Sequence, residues 1–324
     1  MKPKGKLKIY GCGGTGINIV SHFLAAPELE DFAKIEVAFF DTSAANITSK
    51  IPEKSVYLVP DVDGAGKWRG DVAVPVTKSL PGMLEKLPPG DFNVVVYSGA
   101  GGSGSTAGVL LHAELQKRKL PTVSIVIGSY ESELTARNTV KTMESLDHLS
   151  RSRELPLSVK WIVVDPLEGG YTKSQADAEA QRFCGMLAVA ASRQHPGVDT
   201  ADLANFIDYT KVTSVPPQLT LIDDYQGDEE LKKIEYPIAI LSLTKDHDYT
   251  LPIAASYICD GTLSGKLEGI PDPLQFVISA AEIKAVHKHA QDRYLKIEQA
   301  QAARPKTAAL AGDKKPSDES DLIL

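Results

Sequence analysis

The sequence predicts an α/β protein: a mostly parallel sheet covered by helices on both faces, a long central helix and a smaller α+β second part. Three observations predict it. Short apolar runs alternate with helical patterns through the first half. Two glycine-rich loops each follow a strand pattern and open a helix pattern. An alanine-rich helical stretch then separates this half from a remainder sparse in motifs.

Each element follows from its local pattern. Strands are expected at 7–10, 35–41, 55–58, 93–98, 122–128 and 159–164, where β-branched and aromatic residues cluster. Helices are expected at 14–26, 103–118 and 135–151, with Val109, Leu110, Ala113 and Leu115 as packing positions in the second. After the turn at Gly169-Gly170, a long helix is expected at 173–194, interrupted by Gly185 and stopped by Pro196-Gly197. A short helix at 199–209 takes Asp199 or Thr200 as its cap. Pro216-Pro217 leads into strands at 218–223, 238–244 and 274–279, and a last helix at 281–303 stops before Pro305.

Composition excludes several functions. The chain of 324 residues is 43% hydrophobic and 24% charged, and no apolar run approaches the roughly 20 residues of a membrane helix. No secretory leader is expected, because the first residues pass at once into a strand and glycines. Cys12, Cys184 and Cys259 form no CxxC pair, which fits a reducing compartment and gives no cysteine metal site. A net charge of -7 disfavours direct nucleic-acid binding.

The chemistry lies in the glycines. Gly11-Cys12-Gly13-Gly14-Thr15-Gly16 satisfies GxGxxG after a strand, and glycine lets backbone N–H groups at a helix N-terminus approach a phosphate. Alone this loop fits a mononucleotide and a dinucleotide equally well. Asp41, at the end of strand two, stands where the ribose-binding acid of a Rossmann oxidoreductase would be. A single glycine loop can also be no more than a tight turn. The second loop, Gly99-Ala100-Gly101-Gly102-Ser103-Gly104-Ser105-Thr106, changes the balance, since two cradles at one sheet edge can grip both ends of a polyphosphate. No GxxxxGK is present, so backbone amides and hydroxyls must do the binding.

Gly99 to Thr106 resembles the tubulin/FtsZ signature GGGTGSG, with Ser103 for threonine and Ala100 for the second glycine. The first loop is similar to the other nucleotide loop of that superfamily, and Asp63-Gly64-Ala65-Gly66 resembles its terminal-phosphate segment, with Lys67 and Arg69 as departures. Gly197-Val198-Asp199-Thr200-Ala201-Asp202 is similar to its NxDxxD loop, with Gly197 for asparagine. Locally, this pair of acids reads as an N-cap and a solvated carboxylate. The segment from Val212 to Leu219, the short length and the long last helix look most like the phage-encoded tubulins, the PhuZ branch.

The resemblance implies a tubulin/FtsZ fold: a GTP-binding domain at 1–172, a central helix at 173–196, an activation domain at 197–280, a C-terminal helix at 281–304 and an acidic tail at 305–324. It implies a GTPase with Mg2+, acting at a head-to-tail interface where Asp199 and Asp202 complete the pocket of the next subunit. GTP or GDP would be held by Gly11, Cys12, Gly13, Gly14, Thr15, Asn18, Asp41, Gly64, Ala65, Gly66, Gly99, Gly101, Gly102, Ser103, Gly104 and Ser105. Glu133 and Asn138 would meet ribose, and Asp177 would read the guanine N–H groups. Asp165 and Glu168 occupy the segment that usually supplies a base-binding asparagine. The tail, with Asp318, Glu319, Asp321 and the apolar hook Leu322, Ile323, Leu324, is expected to contact an adjacent subunit. The implied role is a filament in the host cytoplasm that positions phage DNA or capsids.

Overall fold

The computed structural model describes residues 5–265 and 268–303. The chain runs β1 (Gly5–Cys12), α1 (Gly13–Val20), β2 (Ala33–Asp41), β3 (Val56–Leu58), α2 (Gly70–Lys86), β4 (Phe92–Ser98), α3 (Ser103–Lys117), β5 (Thr122–Ser129) and α4 (Glu133–Arg153). It continues with β6 (Leu157–Val164), α5 (Lys173–Ala190), α6 (Thr200–Ile207), β7 (Leu219–Tyr225), α7 (Asp228–Leu231), β8 (Ala239–Thr244), β9 (Tyr257–Thr262), β10 (Leu274–Ser279) and α8 (Ile283–Ala302). The acidic residues and apolar hook of the tail lie outside the described residues.

These strands form one sheet in the order β3-β2-β1-β4-β5-β6-β7-β10-β8-β9. Strands β1 to β7 pair in parallel, and β10 runs antiparallel between β7 and β8. Residue alternation sorts the two faces. In β1, Leu7 and Ile9 join the layer of α1, α5 and α6, whereas Tyr10 and Cys12 join that of α2, α3 and α4. Both faces are covered, so β4 and β5 are buried almost throughout and read as continuous apolar runs. This is the α/β architecture expected from the alternating pattern.

Several elements depart from expectation: α1 ends at Val20, short of the expected 26, and α7 was not expected. Helix α2 was not expected, and Pro75 and Pro81 lie inside it. It forms nonetheless, since Val72, Val76, Leu80, Met83 and Leu84 recur at helical spacing and are buried against the sheet layer. Helix α5 stops at Ala190 before the expected 194. There the buried His195 ring folds back, accepting the Ser264 N–H at 3.1 Å and placing Nε2 2.8 Å from the Val189 carbonyl oxygen. Strand β9 is visible only through its pairing with β8, because Asp260 and Gly261 weaken its local pattern.

Candidate functional site

The strand order reverses between β1 and β4, and the crevice at such a switch point is where open α/β sheets bind ligands. A cleft of about 660 Å3 opens there. Cys12, Gly13, Gly14, Thr15 and Asn18 line one side, and Ala100, Gly101, Gly102, Ser103 and Gly104 the other. The helices α1 and α3 begin at these loops. Neither has a side-chain cap or an acidic residue in its first turn, whereas α4, α5 and α6 each carry a full capping box. Two uncapped helix N-termini therefore face one cavity, offering N–H groups and partial positive charge to an anion.

Glycine is required at these loops for different reasons. Gly13 has φ +67, and a Cβ there would stand 2.7 Å from Gly104. Gly101 is the opposite case: a Cβ would meet nothing nearer than the Ser98 side chain at 4.0 Å. Packing within the protein does not demand glycine at Gly101, and the space it keeps clear belongs to the cleft. A phosphate group fits such a cradle.

A polar stripe on α4 fixes the loops from behind. Asn138 donates to the Lys67 carbonyl at 3.0 Å and the Ala100 carbonyl at 3.2 Å. One turn on, the Thr142 hydroxyl lies 2.7 Å from the Gly99 carbonyl oxygen, and Ser145 accepts from Arg69 at 2.9 Å. The structure thus places Asn138 behind the loops, outside the cleft lining, in spite of the ribose contact expected of it. Glu133 sits in the first turn of α4 and does not line the cleft either. Among the described residues the buried Arg69 guanidinium makes no ion pair, and burial, only partly offset by the nearby Glu144, pushes its pKa down to about 10. Its Nε and Nη1 find no partner among the described residues.

Asp41 is buried below the cleft. Its carboxylate accepts the Thr42 N–H at 2.7 Å and the Asn46 amide at 3.2 Å, and burial raises its pKa. Gly11 and Gly99 are buried beneath their loops, and the Ser105 hydroxyl turns inward to the Gly101 carbonyl at 2.6 Å. Gly64 and Gly66 both take left-handed φ values, and Ala65 abuts Gly102, where a Cβ would come within 2.6 Å of it. The third segment therefore leans on the second loop. Lys67, next in line, reaches the cleft wall.

At the other end, Asn18 donates to Asp177 at 3.3 Å, and burial raises the pKa of that acid. The wall beside it holds Ser129, Glu131, Val164 and Lys173, with Lys173 and Glu131 paired at 3.1 Å. None of these four was singled out from the sequence. Lys173 and Glu131 are surface charges by pattern, and only the fold brings them together. Asp165 and Glu168 face away from the cleft and bind Arg293 of α8.

Asp199 and Asp202 do not line this cleft. They cap α6 reciprocally: Asp199 accepts from the Asp202 N–H at 3.0 Å, and Asp202 from the Asp199 N–H at 2.8 Å. Asp199 is exposed and Asp202 half-buried. Gly197 beside them has φ +88, and a Cβ would lie 3.1 Å from the Asp260 carbonyl oxygen, a tight fit for any other residue.

A family model for the phage tubulin-like protein C-terminal domain matches residues 198–283. The phage tubulin-like protein of Pseudomonas phage PhiPA3 is 28% identical over 303 residues, covering 92% of each chain. That of Pseudomonas phage phiKZ is 27% identical over 312 residues, covering 90% of each. A protofilament structure of TubZ from bacteriophage PhiKZ superposes with a TM-score of 0.83 at 26% identity, covering 98% of both chains. A structure of the phage tubulin PhuZ with GDP gives the same TM-score at 23% identity, a likeness of fold. The resemblance seen in the glycine loops extends along nearly the whole chain.

Proposed function

Because the chain is similar to phage tubulin-like proteins along nine-tenths of its length, we propose that it binds GTP between its two glycine loops, polymerises head to tail and hydrolyses GTP at the subunit junction. The observation that carries this reading is the pair of uncapped helix N-termini facing one cleft. Phosphates supply the missing caps, and Asp177 with Asn18 meets the base. Asp202 keeps acceptor capacity beyond its cap, since among the described residues its Oδ1 accepts one long hydrogen bond, from the Tyr257 hydroxyl at 3.5 Å. Asp199 and Asp202 of one copy then orient water over the terminal phosphate of the next, a role that one subunit alone does not fill. Mg2+ would come with the nucleotide, held chiefly by its phosphates.

In this reading residues 1–172 hold the nucleotide together with Asp177 of the central helix, which links them to residues 197–280, and the last helix and tail complete the polymer contact. The filament acts in the host cytoplasm to position phage DNA or capsids. No helix among the described residues is long and apolar enough to cross a membrane. A dinucleotide oxidoreductase is disfavoured, because Asp41 is buried with its carboxylate engaged.

Phosphate release and sedimentation measured together with GTP, ATP and NAD test this function. GTP alone should drive both. Turnover per subunit that stays constant on dilution below the assembly threshold would show hydrolysis within single subunits and refute the shared site.

A further inference from the structure

One guanidinium on the last helix stands behind four residues of the cleft wall. Arg293 makes a two-pronged contact with Asp165, Nε to Oδ2 and Nη2 to Oδ1, both 2.7 Å, and its Nη1 reaches Glu168 at 2.7 Å. Its side chain and that of Asp165 are both buried. The same guanidinium lies 5.8 Å from the centre of the Tyr130 ring. Tyr130 sits in the chain between Ser129 and Glu131, and its N–H donates to the Val164 carbonyl at 3.1 Å. Asp165 in turn follows Val164, donates its N–H to Tyr171 at 3.1 Å and accepts that of Gly170 at 2.8 Å, which closes the loop leading to Lys173. Ser129, Glu131, Val164 and Lys173 all line the cleft.

We propose that Arg293 is a positioning residue for nucleotide binding: from α8 it locks the loops after β5 and β6 and so sets the wall beside Asn18 and Asp177. The inference rests on the guanine-nucleotide reading given above. A surface ion pair would not do this. A buried, two-pronged pair has one well-defined geometry, and its loss releases both loops at once. By linkage, whatever α8 gives the cleft the nucleotide returns, so bound nucleotide seats α8 more firmly.

Titration of the full-length chain with a fluorescent GDP analogue, below the assembly threshold, tests the inference. Arg293→Met alone strands a buried carboxylate and can fail to fold, so the informative variant is Arg293→Met with Asp165→Asn, which leaves no uncompensated buried charge, Glu168 being half-exposed and 3.9 Å from Lys296. That double variant should melt near the wild-type temperature yet bind the analogue about tenfold more weakly. Arg293→Lys, which keeps the charge and loses the fork, should fall between. Hydrogen exchange should show GDP slowing the α8 amides in the wild type and not in the double variant. A folded double variant with wild-type affinity and a wild-type exchange response overturns the inference and leaves the proposed function standing. A wild-type chain that fails to bind the analogue overturns both.

Discussion

Gly13 and Gly104 meet backbone to backbone: a Cβ built on Gly13 would lie 2.7 Å from both the Cα and the amide nitrogen of Gly104. This contact joins the two glycine loops into one cradle. It brings the starts of α1 and α3 close enough to address a single polyphosphate.

Two alanine substitutions separate packing from ligand binding. Gly13→Ala meets backbone at 2.7 Å and a left-handed φ, which alone costs about 1–2 kcal/mol, so its unfolding midpoint should drop. Gly101→Ala should fold with wild-type stability and lose nucleotide affinity by more than tenfold, because its methyl group enters open cleft. Thermal unfolding and nucleotide titration of both variants check this. Unchanged affinity in Gly101→Ala would place the phosphates elsewhere.

The α4 stripe predicts an effect at a distance from the ligand. Thr142→Val keeps the shape and removes the hydroxyl hydrogen bonding with Gly99, at a cost of about 0.5–1.5 kcal/mol. Asn138→Ala removes two hydrogen bonds and strands the Lys67 and Ala100 carbonyls, so it should be the more damaging. Urea unfolding gives the order. Equal stability in the two variants would mean that water replaces the Asn138 amide.

Acid sensitivity should follow His112. Its ring lies fully buried with Nδ1 2.8 Å from the Ser124 hydroxyl, and burial lowers its pKa from 6.5 to about 3. Below pH 6.5 the unfolded chain takes up a proton that the folded chain refuses. Stability is therefore complete above 6.5 and falls as pH drops towards 3. His195, lowered likewise by burial, adds to the slope. Urea midpoints between pH 7.5 and 4.5 should decline less steeply for His112→Gln than for the wild type; parallel slopes would contradict this assignment.

The glycine loops could be read from the sequence because their chemistry is local: strand, glycines and helix are consecutive. Elements defined by distant partners could not. Helix α2 is held, across its two prolines, by a buried apolar face, and the end of α5 depends on a histidine contacting Ser264. Asn138 was expected from the resemblance to meet ribose, but its partners at Lys67 and Ala100 are set by the fold. Arg293 gave no local signal at all, since its carboxylates lie on the loop after β6.

Asp202→Ala should assemble with GTP while releasing little phosphate, because the substitution removes an acid and leaves the cleft of its own subunit intact. Its loss of half the α6 capping box should cost only about 1 kcal/mol. Filaments with wild-type phosphate release would remove Asp202 from the reaction.

Mixing two defective chains asks most directly whether the site is shared. One chain carries Asp199→Ala and Asp202→Ala with its cleft intact; the other carries Gly101→Ala with its acids intact. Neither should release phosphate alone, and the mixture should recover turnover at junctions where the second chain's acids meet the first chain's nucleotide. A mixture that cosediments as filaments yet stays as inactive as its components would contradict the shared site.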